Sequence, residues 1–376
     1  MAQTHWHILM NIHPKHSSMR GSGTADPMSR LPLALMVTGL LILIVGGSIR
    51  INDAGESCPE WPTCFGKIHP FVSAEEQLEW WSDNPEEADS RHDYNPDHTY
   101  TAFQIFIEWL HRLLAGIVAI PVLFNWWYVR KRKNELGEDM VGLAFAGGIL
   151  LILQAIAGYI TVKFDNADWS VALHLTLAVC WISVFIWQWL LWQARTRGLN
   201  RVNDITPEHA LSVIPRLRLL TGAVLLLLIL GAWVASTAGG EYNKGCSTGF
   251  TNGWPLCQGQ WLPSMEQMGE LVQMVHRLGA LVIGGALMWG SVRMRELVRE
   301  TGRGEVLTRF VEASTGIWLL NVLIGGVYII TAGAEGFIEL LSLLHLIFGV
   351  ASFLAIMTAL LICRVAIMEP FHVEEE

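Results

Sequence analysis

Apolar residues fill this chain in runs of about 20 or more, the length a helix needs to cross a bilayer's hydrocarbon. The runs fall at 31–50, 103–128, 141–162, 171–194, 218–238, 271–292, 309–331 and 338–363. The pattern predicts an all-α membrane protein with eight transmembrane helices. Every connection between them is short except 51–102. Residues 1–30 are polar and hold no apolar segment, so they read as a disordered tail with no cleavable signal. His5, His7, His13 and His16 lie in that tail and read as part of it rather than as a metal site.

Charge gives the runs a direction. Only 16% of residues are charged, against roughly 25% in a soluble protein, and the placement of Lys and Arg is more informative than the net charge of -9. The two tails and the loops after the second, fourth and sixth runs carry 18 of the 25 Lys and Arg, and the opposite loops carry 5. By the positive-inside bias both termini are cytoplasmic and the long loop 51–102 faces outward. That loop is acidic (Glu75, Glu76, Glu79, Glu86, Glu87, Asp89), which reads as a solvated surface rather than a docking site for a basic partner. Trp126, Trp127, Trp189 and Trp192 stand near run ends, as interfacial aromatics do.

The first four runs resemble the last four. HRLLAGIVAIPVL from His111 matches HRLGALVIGGALM from His276, QAIAGYI from Gln154 resembles NVLIGGV from Asn321, and ALHLTLAV around His174 matches LLHLIFGV around His345. Each half has an even number of spans, so both enter the membrane in the same direction, as a parallel repeat. The expected architecture is two pseudo-symmetric four-helix bundles: residues 31–194 and 218–363, joined by a cytoplasmic linker at 195–217, with cytoplasmic tails at 1–30 and 364–376.

The repeat also places the chemistry. Each even-numbered run carries one histidine within about three turns of its outer end: His111, His174, His276 and His345. Two histidines at one depth on two helices of a bundle can take both axial positions of a haem iron. A lone buried histidine more often bonds to a neighbouring helix, but four at matched positions in two repeats favour a haem in each half. No cysteine or second carboxylate joins them at zinc spacing. Arg112 and Arg277 directly follow two of the histidines; they are candidates for pairing with haem propionates or for snorkelling to the interface. The halves differ at one position. EWLHR has Glu108 one turn before His111, whereas QMVHR has Gln273 before His276. A glutamate can move protons and a glutamine cannot, so the N-terminal half looks built for chemistry and the C-terminal half for holding a redox cofactor. The plainer role for Glu108 is to pair with Arg112 or orient a ligand.

Cys180 and Cys363 lie within runs and read as packing residues. Cys58 and Cys64 lie in the first outward loop, Cys246 and Cys257 in the third, on the side where disulfides persist. Short local spacing favours Cys58–Cys64 and Cys246–Cys257 among three pairings. Each pair reads as a structural staple, with electron exchange with an outside partner as the alternative for the first.

In combination, GGSIRINDAGESCPEWPTC after the first run, EWLHR in the second, the histidines heading the fourth, sixth and eighth, and WPLC in the third outward loop resemble the heme A synthase family, in its bacterial and archaeal type with paired loop cysteines. The resemblance covers nearly all of 31–363. Where the family usually has Thr-Arg-Leu-Thr-Gly-Ser-Gly, this chain has Ile-Arg-Ile-Asn-Asp-Ala-Gly; Arg50 and Gly55 remain. The stretch 73–98 is longer than the family leads one to expect. The resemblance implies a prokaryotic plasma-membrane oxidoreductase that converts the C8 methyl of heme O to the formyl of heme A for terminal oxidases. It implies heme O as substrate on His111 and His174, heme b iron on His276 and His345, Glu108 as the catalytic carboxylate and Arg50 as a further candidate propionate partner. A heme O synthase, an electron-transfer partner and a second copy of the chain are expected partners besides membrane lipid, and nucleic acid is not. The rival readings are a di-haem transmembrane electron carrier of the cytochrome b-like quinol or ferric reductase kind, and a non-enzymatic haem-handling assembly factor.

Overall fold

The computed structural model describes residues 26–88, 91–197, 204–235, 246–264, 268–332 and 336–369. The N-terminal tail histidines and the end of the C-terminal tail lie outside them. Eight helices are long and apolar enough to cross a membrane: α1 (Leu31–Ile51), α2 (Ala102–Lys131), α3 (Glu138–Lys163), α4 (Asp168–Arg197), α5 (Pro207–Ala235), α6 (Met268–Thr301), α7 (Glu305–Ile330) and α8 (Glu339–Met368). All eight expected spans are present. Most extend a turn or more beyond the apolar runs, because polar residues continue a helix wherever its backbone can still bond to itself. The largest extension is in α5, which begins at Pro207 and so takes up much of 195–217.

Local chemistry explains several boundaries. Thr101 and Gln104 form a reciprocal capping box that starts α2. The helix is interrupted at Val118. Pro121 follows three residues later, and its missing N–H and bulky ring disturb the turn before it. Outward-facing Ile120, Leu219 and Val282 are each more than 70% exposed; lipid tails are the medium that would cover such side chains.

Contacts between helices close two rings. In one, α1 packs on α2 and α4, and α3 packs on α2 and α4; in the other, α5 packs on α6 and α8, and α7 packs on α6 and α8. The rings meet where α4 and α8 face each other, with α4 also against α5 and α8 against α1. Buried Leu191, Trp192, Phe353, Ile356 and Ile362 help form a single apolar core spanning both rings.

Above one end of each ring sits a disulfide-bonded loop: Cys58–Cys64 in one and Cys246–Cys257 in the other. The two loops share a detailed turn. Cys64 and Lys67 exchange backbone hydrogen bonds of 2.9 and 3.1 Å, and Cys257 and Gln260 exchange bonds of 2.9 and 3.0 Å. The residues between have φ of 53° and 72° in one turn (Phe65, Gly66) and 52° and 72° in the other (Gln258, Gly259). Two successive positive φ angles define a tight hairpin turn that favours glycine at its centre. The acidic stretch of the first loop forms a short helix, Ala74–Asp83, started by a Ser73–Glu76 capping box.

Candidate functional site

The four histidines stand six to eight residues inside their helices, all on the side of the disulfide loops, except His111, which is nine residues from Ala102. At 1.5 Å per residue that is a depth of about 9–14 Å. Each ring lies over a glycine on the preceding helix. A Cβ on Gly46 would stand 3.0 Å from Cε1 of His111; on Gly158, 3.1 Å from His174; on Gly231, 3.0 Å from His276; and on Gly325, 2.8 Å from His345. Only glycine lets the backbone come this close to an imidazole without displacing it. Sequence comparison had aligned Gly158 with Gly325 but gave them no part; the signal was their place four residues after Gln154 and Asn321.

The rings are oriented from behind. Nδ1 of His111 lies 3.2 Å from the Ile42 carbonyl, and Nδ1 of His345 lies 3.1 Å from the Asn321 carbonyl. A carbonyl only accepts, so the proton belongs on Nδ1 and Nε2 is left with a lone pair. Metal-bound histidines are commonly held this way. The buried Nδ1 atoms of His174 and His276 make no hydrogen bond among the described residues. Nε2 of His174 lies 3.4 Å from the Gln154 amide.

The ring centroids of His276 and His345 are 6.4 Å apart. With a metal–imidazole bond of about 2.0 Å on each side, two imidazoles on opposite faces of one iron bring their centroids to roughly 6 Å. The glycine beds and this separation fit bis-histidine haem ligation. No cluster of three or more His, Cys, Asp or Glu suited to a bare metal ion occurs among the described residues.

Glu108 is buried and held by three donors. Its Oε2 accepts from the Ser57 hydroxyl at 2.9 Å and the Cys58 backbone N–H at 2.9 Å. Its Oε1 is ion-paired with Arg112 one turn on. Three donors leave one of a carboxylate's roughly four lone-pair positions open. Arg112 also donates to the carbonyls of Cys58 and Glu60. In the other half Arg277 donates to the carbonyls of Gly253 and Leu256 at 2.7 and 2.8 Å. The two arginines thus tie each disulfide loop to the helix carrying a histidine. Arg50 reaches the Ala235 carbonyl at 3.4 Å, joining α1 to the end of α5.

Gln273 is buried at the position corresponding to Glu108. The C-terminal half nevertheless has a buried carboxylate that the comparison of EWLHR with QMVHR passed over. Glu270, one turn before Gln273, accepts from Gln258 at 2.5 Å and Ser264 at 3.4 Å. The difference between the halves is therefore where the carboxylate stands relative to the histidine. Sequence reasoning also missed Ser57: it lies inside GGSIRINDAGESCPEWPTC but was given no role, because its partner is 51 residues away.

A family model described as cytochrome oxidase assembly protein (COX15-CtaA) matches residues 29–357. The chain belongs to that family. Among its relatives is a protein named heme A synthase from Agrobacterium fabrum, 30% identical over 317 residues that cover 76% of this chain and 80% of the relative. Another of that name, from Beijerinckia indica, is 29% identical over 323 residues, covering 78% and 81%. One from Shouchella clausii is 27% identical over 263 residues, covering 69% and 74%. The family match takes in all four histidines, Glu108 and both disulfides.

Proposed function

We propose that this family member is a heme A synthase, an oxidoreductase that converts the C8 methyl of heme O to a formyl group. Two successive hydroxylations, each taking its oxygen from one water and releasing two protons and two electrons to the electron-transfer partner, give a geminal diol, and loss of water leaves the aldehyde. The N-terminal half, 31–194, binds heme O between His111 and His174. The C-terminal half, 218–363, holds heme b between His276 and His345. Heme b, when bound, supplies reversible one-electron redox chemistry at the iron.

The observation that carries the reading is a buried carboxylate one turn from His111, where the other half has an amide. Glu108 is held by Ser57, Cys58 and Arg112, so it is preorganised and needs no rearrangement to receive or give up a proton beside the substrate. The Arg112 bonds to loop carbonyls keep the disulfide loop over the site. The eight spans and the distribution of Lys and Arg support a multi-pass protein of a prokaryotic plasma membrane with both termini cytoplasmic. A heme O synthase is the proposed source of the substrate, and an electron-transfer partner on the loop side the proposed outlet for electrons.

The test is expression with a source of heme O, followed by extraction and chromatography of the non-covalent haems. Wild type should yield heme A or its hydroxylated precursor. Glu108→Gln should lower that yield by about 10²–10⁴-fold while heme b stays bound. Normal heme A from Glu108→Gln, or heme b alone from wild type, would overturn the reading.

A further inference from the structure

The acidic stretch 73–98 has no part in the chemistry described so far, yet one of its residues reaches under the site. Arg91 is ion-paired with Glu56, which is only 6% exposed. It also donates to the backbone carbonyl of Asp53 at 3.1 Å and to the Asp53 carboxylate at 2.9 Å. Its guanidinium lies 5.0 Å from the centre of the Tyr100 ring. The turn it grips is otherwise costly. Asp53 has φ of 50°, a left-handed conformation that aspartate tolerates better than most residues but that contacts help to hold. Asn166, at the turn between α3 and α4, holds Glu56 from the other side at 2.6 Å. Gln104 donates to the Asn52 carbonyl at 2.9 Å.

The next two residues along the chain are Ser57 and Cys58, the two that donate to Glu108. A carboxylate is positioned only as well as its donors are. Those donors sit on a loop, and holding a loop in one conformation costs entropy that its contacts must offset.

We propose that Arg91 is a positioning residue for Glu108: by gripping Asp53 and Glu56 it fixes the turn that delivers Ser57 and Cys58 to the catalytic carboxylate. The acidic stretch thereby serves the reaction as an anchor for Arg91. This rests on the assignment of Glu108 to catalysis in heme A formation.

The test compares Arg91→Met, Arg91→Lys and Glu108→Gln in the full-length protein, measuring kcat, KM for heme O, the pH profile of kcat, heme b content and both disulfides. Arg91→Met should lower kcat roughly ten- to hundred-fold, shift the pH profile, and leave KM within about twofold. Heme b content and disulfides should be unchanged. Arg91→Lys, which keeps a cation for Glu56, should recover most of kcat. Wild-type kcat and pH profile in Arg91→Met, or lost heme b with unchanged turnover per bound haem, would overturn the proposal. If Arg91→Met does not accumulate, the double variant Glu56→Gln/Arg91→Met, which buries no unpaired charge, takes its place. It must show the same loss, and normal kcat in it overturns the proposal. The two failures separate cleanly: normal activity in Glu108→Gln removes the catalytic assignment, whereas an inactive Glu108→Gln beside an unaffected Arg91→Met removes only the role of Arg91.

Discussion

Histidine and glycine form one unit at four places, so a methyl group added at the glycine should act on the histidine. At Gly325 a Cβ would stand 2.8 Å from His345 Cε1, and both partners are held by helix backbone. Gly325→Ala should weaken retention of heme b by about 10–100-fold, the usual cost of disturbing what supports a metal ligand. Haem content after purification and the Soret band report it. Gly316→Ala is the control on the same helix, because a Cβ there meets nothing within 4 Å. Full heme b in Gly325→Ala would mean that His345 does not need its bed. The arginines teach a different lesson at this scale. Sequence position put Arg112 and Arg277 beside the histidines; the structure shows in addition that both donate to loop carbonyls. A side chain this long reaches many partners, and adjacency in sequence does not choose among them.

Among the elements, the disulfide loops show how local and distant constraints combine. Each loop carries the same reciprocal hairpin turn and is closed by a bond between nearby cysteines, with separations of 6 and 11 residues. Closing loops this short removes about 2–3 kcal/mol of chain entropy from the unfolded state. Cys246→Ser with Cys257→Ser should therefore lower the midpoint of thermal unfolding in detergent while leaving Glu108 and its donors intact. Cys58→Ser with Cys64→Ser should also reduce heme A formation: the backbone N–H at 58 remains, but the staple that holds it against Glu108 is lost. Equal loss of turnover in both pairs would contradict that distinction. The cysteine pairing was legible because short spacing limits the choices. The donation from Cys58 was not, because it uses a backbone N–H, which every residue but proline has.

For the whole molecule, the two rings of helices are tied near the end opposite the disulfide loops. Arg195 on α4 donates to both oxygens of Asp139 on α3, at 2.8 and 2.6 Å, and to Glu369 just beyond α8 at 2.8 Å. Both carboxylates are about one-third exposed, so water partly compensates either one. Arg195→Ala should cost about 1–2 kcal/mol, seen as a lower unfolding midpoint with unchanged haem stoichiometry. A drop in haem content would show that the contact reaches the sites as well.

The sequence alone determined the eight spans, because hydrocarbon demands long uninterrupted apolar helices and composition records them directly. It also determined the four histidines, the two cysteine pairs and the position of Glu108, because each is a rare residue type at a repeated place. Only the tertiary structure decided what surrounds them. The glycine beds, the hold of Ser57 and Cys58 on Glu108 and the grip of Arg91 on Glu56 join separate stretches of the chain through common residues or backbone atoms. Such contacts are set by how helices and loops pack, and packing leaves no periodic signature in the order of residues.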